Sequence, residues 1–238
     1  MSPKYTLDKI KFSTDPKTFL KAVDLYEKGK VTQFKNGVNA YSAIVVGTKP
    51  YRVSVEARNF TLGSCECYLG QTDVLCKHLV ALAISAVMGG KKMKEEDKKI
   101  IEGPVCSGKP GKLAKAELSE TKNAITSAMR YIKSYGGSSR TWFAYQNSLD
   151  EGCARLSKIV SDLPVSEQTA TLLVDTLLRL DERLCYGGVD DSDGIVGGFI
   201  QDAVIVLKEY VKLDSACLSA FEILKTKKTC FGWEETLF

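Results

Sequence analysis

The chain has 238 residues, of which 44% are hydrophobic and 26% charged, with a formal net charge of +4. That is the composition of a soluble globular protein of one large or two small domains, with enough apolar residues for a sizeable core. The N-terminus, Met1-Ser2-Pro3-Lys4-Tyr5-Thr6-Leu7-Asp8-Lys9, has no apolar signal-peptide region, and the longest apolar run, Leu79 to Met88, is too short to span a bilayer, so a cytoplasmic protein with no membrane partner is expected.

In chain order, Asp15-Pro16 reads as an N-cap with proline at the first helical position. Phe19, Ala22, Val23 and Tyr26 then recur at helical spacing until Gly29 ends the helix. Two strands follow, Val31 to Phe34 and Val38 to Val46, around a Lys-Asn-Gly turn, because Asn36-Gly37 tolerates the positive φ of a tight hairpin. A third strand alternates, with Tyr51, Val53, Val55 and Ala57 on one face and Arg52, Ser54, Glu56 and Arg58 on the other. The expectation is a small antiparallel sheet with one wet face.

That strand leads to Cys65-Glu66-Cys67, eight further residues, and Cys76-Lys77-His78, which places three thiols and the chain's single histidine within fourteen positions. Four ligands of these types suit Zn²⁺ in a closed tetrahedron, with Zn–S about 2.3 Å and Zn–N about 2.0 Å. Residues two apart on a helix point about 200° away from each other. Cys76 therefore belongs at or before a helix start, with His78 in the first turn. The Cys65/Cys67 pair has the same spacing and fits a sharp turn at a strand end. The helix from about 77 to 88 is nearly all apolar, so it packs on the sheet and the first helix, and Gly89-Gly90 stops it.

The pattern C-x-C-x8-C-x-H, preceded by strands and followed by an apolar helix, resembles the SWIM zinc finger. The runs Gly47-Thr48-Lys49-Pro50-Tyr51-Arg52-Val53-Ser54-Val55 and Cys76-Lys77-His78-Leu79-Val80-Ala81-Leu82 are similar to prokaryotic members of that family. The resemblance covers roughly residues 16 to 90 and implies that Cys65, Cys67, Cys76 and His78 are the zinc ligands. It also implies binding to DNA or to proteins, the habit of these fingers, without fixing which.

Residues 89 to 116 are rich in glycine, proline and lysine and read as a linker with room for one short helix. Within it Gly103-x4-Gly108-Lys109 echoes a phosphate-binding loop, but Pro110 stands where the Mg²⁺-binding hydroxyl belongs and removes an N–H from the cradle, so no nucleotide is expected. From 117 onward, helical stripes run over about 117–135, 139–163, 166–186, 195–213 and 215–226 with short breaks between them. Short connections imply antiparallel neighbours in a bundle. Asp190-Asp191-Ser192-Asp193-Gly194 lacks the anchors of a calcium loop and reads instead as a cap, with Asp193 or Ser192 capping the next helix. Gly197-Gly198 suggests a close approach by a neighbouring helix, Trp142, Phe143 and Tyr145 are expected in the core, and Phe231-Gly232-Trp233 is expected to dock the tail.

The expected fold is therefore α+β: a zinc-binding domain over residues 1–90 with a small antiparallel sheet and helices, a linker over 91–116, and an all-α bundle over 117–238. Cys153, Cys185 and Cys217 lie in apolar helical contexts and read as small core residues, and a disulfide does not suit a chain of this type. With the lone histidine committed to metal, Cys-His and Ser-His-Asp catalysis have no base, so no enzyme is expected. Charge is uneven: 20 Lys/Arg stand against 11 Asp/Glu through residue 115, a surplus of nine, and 13 against 18 from residue 116. The basic half is the finger half, which points to a polyanion, DNA first, with Lys49, Arg52, Arg58 and Lys77 as contacts. The alternative is an adaptor that binds a protein partner through the acidic helical half, with zinc purely structural.

Overall fold

The computed structural model describes residues 2–72, 74–138, 141–227 and 229–238, without the side chain of Phe143. The architecture is α+β, and the chain divides into two compact units, Met1–Ile100 and Ile101–Phe238. Among the described residues no helix is long and apolar enough to cross a membrane.

The first unit opens with α1 (Leu7–Phe12), a short helix the sequence pattern does not announce, capped by the Thr6 hydroxyl and anchored by fully buried Ile10. In α2 (Pro16–Glu27) the Asp15 carboxylate accepts from Thr18 N at 2.9 Å, and Phe19, Ala22 and Val23 are buried as the periodicity requires. Tyr26 is half-buried at the edge and donates its hydroxyl to Lys91 O at 2.6 Å.

Strands β1 (Val31–Asn36), β2 (Ala40–Val46), β3 (Pro50–Glu56) and β4 (Gly63–Cys65) form one antiparallel sheet in that order. The hairpin turn falls later than the Asn-Gly signal suggests. Asn36 still pairs with Tyr41, Gly37 N donates to Ala40 O, and Val38 is 82% exposed in the turn. The strand phase is the reason: Tyr41, Ala43 and Val45 face the core, and a strand begun at Val38 would put that residue on the wet face. β1 is irregular between Thr32 and Lys35, where Gln33 takes a positive φ of 51°. In β3 the alternation holds, with Tyr51, Val53, Val55 and Ala57 buried and Arg52, Glu56 and Arg58 exposed.

Two short elements follow that the sequence pattern merges into a loop, β4 and α3 (Tyr68–Gln71). Helix α4 (Lys77–Met88) then lies across β2, β3 and α2, every residue from His78 to Ile84 buried, and ends at Gly89 with φ +56°. α5 (Glu95–Lys98) is held by Lys98, whose ammonium reaches Glu27 at 2.6 Å and Glu95 at 2.7 Å.

The second unit is a helical bundle of α6 (Lys115–Met129), α7 (Trp142–Asp162), α8 (Glu167–Cys185) and α9 (Ile195–Leu213), closed by 3₁₀ segments Ser215–Lys225 and Trp233–Leu237. Leu149, Leu156, Leu173, Leu177, Leu207 and Tyr210 form its centre. Residues 105–113 lie along it, with Val105 N on Ser161 Oγ, Ser107 Oγ on Leu163 O and Leu113 N on Gln168 Oε1. The expected start of the second bundle helix, at Ser139, lies outside the described residues, as does the side chain of Phe143. Trp142 and Tyr145 do pack, in a cluster with Tyr135 at centroid distances of 4.6 to 6.0 Å.

Four further expectations are corrected. α6 ends at Met129 rather than near 135, because the Arg183 guanidinium donates to Met129 O and Ile132 O and satisfies carbonyls that the helix would otherwise continue to cover. The cap of α9 is Asp191, not Asp193 or Ser192: its two oxygens accept from Val196 N and Gly197 N, each at 2.8 Å. Among the described residues no neighbouring helix approaches Gly197-Gly198; a Cβ at Gly197 would meet the Asp191 carboxylate at 3.3 Å, and one at Gly198 would meet no atom within 4 Å. Cys185 is not a core thiol but is joined to Cys230, 45 residues on, as the tail folds back to bury Trp233 while Phe231 stays exposed.

Candidate metal centre

Each of the four predicted ligands sits where one element meets another. Cys65 closes β4 opposite Val53, Cys67 caps the N-terminus of α3, Cys76 caps α4, and His78 is the second residue of α4. Cys76 has extended torsions, φ −103° and ψ 159°, which releases it from the helical direction and lets it face the same point as His78. The four ligand atoms lie within 4.8 Å of one another, and all four residues are at least nine-tenths buried.

Imidazole Nδ1 faces the sulfurs, 3.8 Å from Cys65 Sγ and 3.9 Å from Cys76 Sγ. A tetrahedron with Zn–S 2.3 Å and Zn–N 2.0 Å has S···N edges of about 3.5 Å, so these separations are within a few tenths of an ångström of zinc geometry. Gly70 N donates to Cys67 Sγ at 3.4 Å, the kind of backbone contact that steadies a thiolate. A hydrogen bond from the Cys65 thiol is the main cause that holds Cys76 well below the ordinary thiol range, while the same bond and burial raise Cys65. One thiol of the pair thus ionises easily, as metal binding requires. The donor set fits Zn²⁺, and three sulfurs with one nitrogen would fill its tetrahedron.

The surrounding residues show what spacing alone leaves out. His78 Nε2 is buried and has no hydrogen-bond partner among the described residues. The ring lies 4.7 Å from that of Tyr51, whose hydroxyl meets Thr48 Oγ1 at 2.9 Å. Above Nε2 is Gly47, where a Cβ would stand only 2.5 Å from that nitrogen. At Gly70 a Cβ would fall 2.5 Å from both Cys65 Cβ and Cys65 O. Both glycines make room for ligands, and nothing in the Cys/His pattern identifies them.

The four basic positions do not form one patch. Lys49 lies in the β2–β3 turn with Nζ 5.7 Å from the Tyr51 ring centroid, and half-buried Lys77 is the first residue of α4, so both flank the metal. Arg52 is on the solvent face of the sheet, where the Glu66 carboxylate accepts its backbone N–H at 3.0 Å. Exposed Arg58 follows β3, six residues and roughly 20 Å beyond Arg52. Between them the sheet carries a row that the linear pattern does not display: Lys35, Ser42, Ser54 and Ser64 are directly paired across the four strands. With Gln33, Arg52 and Gln71 they line a groove of about 790 Å³.

Residues 51–86 match the family described as SWIM zinc finger, in agreement with the ligand geometry. Comparison with curated proteins and with solved structures gave no match.

Proposed function

We propose that the SWIM zinc finger of residues 51–86 serves a non-enzymatic protein that binds nucleic acid, DNA first, with zinc locking β4 to α4 so that the sheet face keeps its shape. The observation that carries this reading is the groove on the solvent face of the sheet, where a cross-strand row of one lysine and three serines runs beside Arg52 and Glu66. Hydroxyls and basic side chains are the groups that contact phosphates and sugars, and such contacts position a protein on nucleic acid. A strand of nucleic acid along β3 meets Arg52 and then Arg58, while Lys49 and Lys77 lie apart from them at the metal end. The surplus of nine basic residues through residue 115 draws a polyanion to this part of the chain.

The test is fluorescence anisotropy of the zinc-loaded chain with single- and double-stranded DNA and RNA over a range of salt. Binding should weaken linearly in log–log form, and about four phosphate contacts give a slope near −3.6 for duplex DNA. Lys35→Ala or Arg52→Ala should reduce that slope by about one. No binding to any of the four nucleic acids at low salt refutes the reading. A second reading, a protein-binding adaptor, then takes its place, supported by the groove of about 710 Å³ beside α8 that exposed Tyr186 and Ile223 line with Leu178.

A further inference from the structure

Two cysteines outside the finger meet a buried carboxylate in the second unit. Asp181 and Cys185 are one turn apart on α8, so their side chains share a face, and the chain after the 3₁₀ segment Ser215–Lys225 brings Cys230 to it. A carboxylate oxygen and the two sulfurs lie within 4.8 Å of one another, and Cys185 and Cys230 are joined with their Cα atoms 6.2 Å apart. Asp181 is only 6% exposed, yet no lysine or arginine among the described residues pairs with it. Its oxygens accept from Cys230 N at 3.0 and 3.2 Å and from Trp233 Nε1 at 3.1 Å, and Cys185 Sγ stands 3.8 Å away.

A disulfide has no need of a carboxylate beside it, and the N–H donors of Cys230 and Trp233 fix this one in place. A metal-ligating carboxylate, by contrast, is held in just such a way by N–H donors behind it. Cys230 is exposed, which supplies an entry path.

We propose that Asp181, Cys185 and Cys230 form a second site, for a soft or borderline divalent cation such as Zn²⁺, which opens when the disulfide is reduced. A dithiol reductant supplies two electrons and two protons: the Cys185–Cys230 bond breaks, two thiols form, and the reductant closes to its own disulfide. Both thiols then release their protons as the cation binds. Two thiolates and one carboxylate complete three positions and leave the fourth, on the Cys230 side, to solvent. The finger, closed by four buried ligands, keeps its zinc in either state.

Native mass spectrometry of the full chain with Zn²⁺, before and after reduction by a phosphine that adds no competing thiol, reads metal count and disulfide together. One zinc with the disulfide, rising to two zincs without it, is the expected result. Cys185→Ser with Cys230→Ser should hold at one zinc in both states. Asp181→Asn retains an acceptor for Trp233 and the disulfide, and should weaken the second zinc at least about tenfold in a chelator competition while the first is unchanged. A single zinc in the reduced chain overturns the proposal, as does a second zinc that survives the double cysteine substitution.

Discussion

Gly47→Ala challenges the metal centre at a residue that gives the metal no ligand. An added Cβ would lie 2.5 Å from His78 Nε2, 3.4 Å from His78 Cδ2 and 3.3 Å from Tyr51 Cε2. Non-bonded carbon and nitrogen atoms settle near 3.5 Å, so the imidazole must retreat by about 1 Å. Its Nδ1 points the other way, at Cys65 and Cys76, and moves with the ring. Metal bonds tolerate only about 0.2 Å. The backbone of Gly47 is not in the left-handed region, so alanine itself is compatible there and would by chain entropy alone stabilise by about 0.4–1 kcal/mol. Any loss must come from the crowded imidazole. Zinc affinity, read by competition with a chromophoric chelator, should fall about 10- to 100-fold, or about 1.4 to 2.8 kcal/mol. Gly29→Ala is the control: it meets no atom within 4 Å but forces alanine to φ +63°, so it should cost about 1 kcal/mol in melting and leave zinc affinity intact. If Gly47→Ala binds zinc within about threefold of the parent chain, the position assigned to the imidazole is wrong.

Cys76→Ser or His78→Ala should lose zinc and with it hydrogen-exchange protection across residues 30–90, because structural zinc contributes about 10 kcal/mol or more of folding energy; full occupancy with native protection would refute the ligand set. Arg183→Ala strands Ile132 O and leaves Met129 O only its bond from Ile132 N, and should cost about 1 kcal/mol, a fall of roughly 3 °C in the melting of the second unit; an unchanged midpoint would show that water replaces the guanidinium. Asp191→Ala removes the acceptor of two N–H groups at the start of α9 and should cost about 1–2 kcal/mol in urea unfolding, whereas Asp193→Ala stays within about 0.5 kcal/mol; equal losses would remove the distinction drawn between the two.

The first unit was readable because its signals are local. Alternation from Tyr51 to Arg58 fixes which face of β3 is buried, and the apolar run that begins at Leu79 fixes α4 as an interior helix. The two i, i+2 ligand pairs constrain backbone direction strongly enough that Cys76 at a helix boundary follows from helical geometry alone. What escaped was small or irregular. β4 and α3 are too short to show a period, and the bulge at Gln33 lies in a strand whose residues are nearly all exposed, where no pattern marks a register.

The second unit shows the opposite limit. Its apolar stripes locate the helices, but three polar residues decide how the helices end and what the tail does, and each acts across the chain. Arg183 terminates a helix 54 residues earlier, a task that a glycine would perform locally. Asp191 caps α9 from five residues before its nearest partner, Val196, instead of from the cap position, which Gly194 occupies at φ +70°. Asp181 receives the tail through Cys230 and Trp233, 49 and 52 residues on. A periodic pattern tells which face of a helix is buried but is silent on a polar residue within that face, since the partner that makes its burial tolerable is supplied by the fold. The cysteines divide on the same ground. Four ligand residues within fourteen positions identify themselves, whereas Cys185 and Cys230, 45 residues apart, are brought together only by the fold of the tail onto α8.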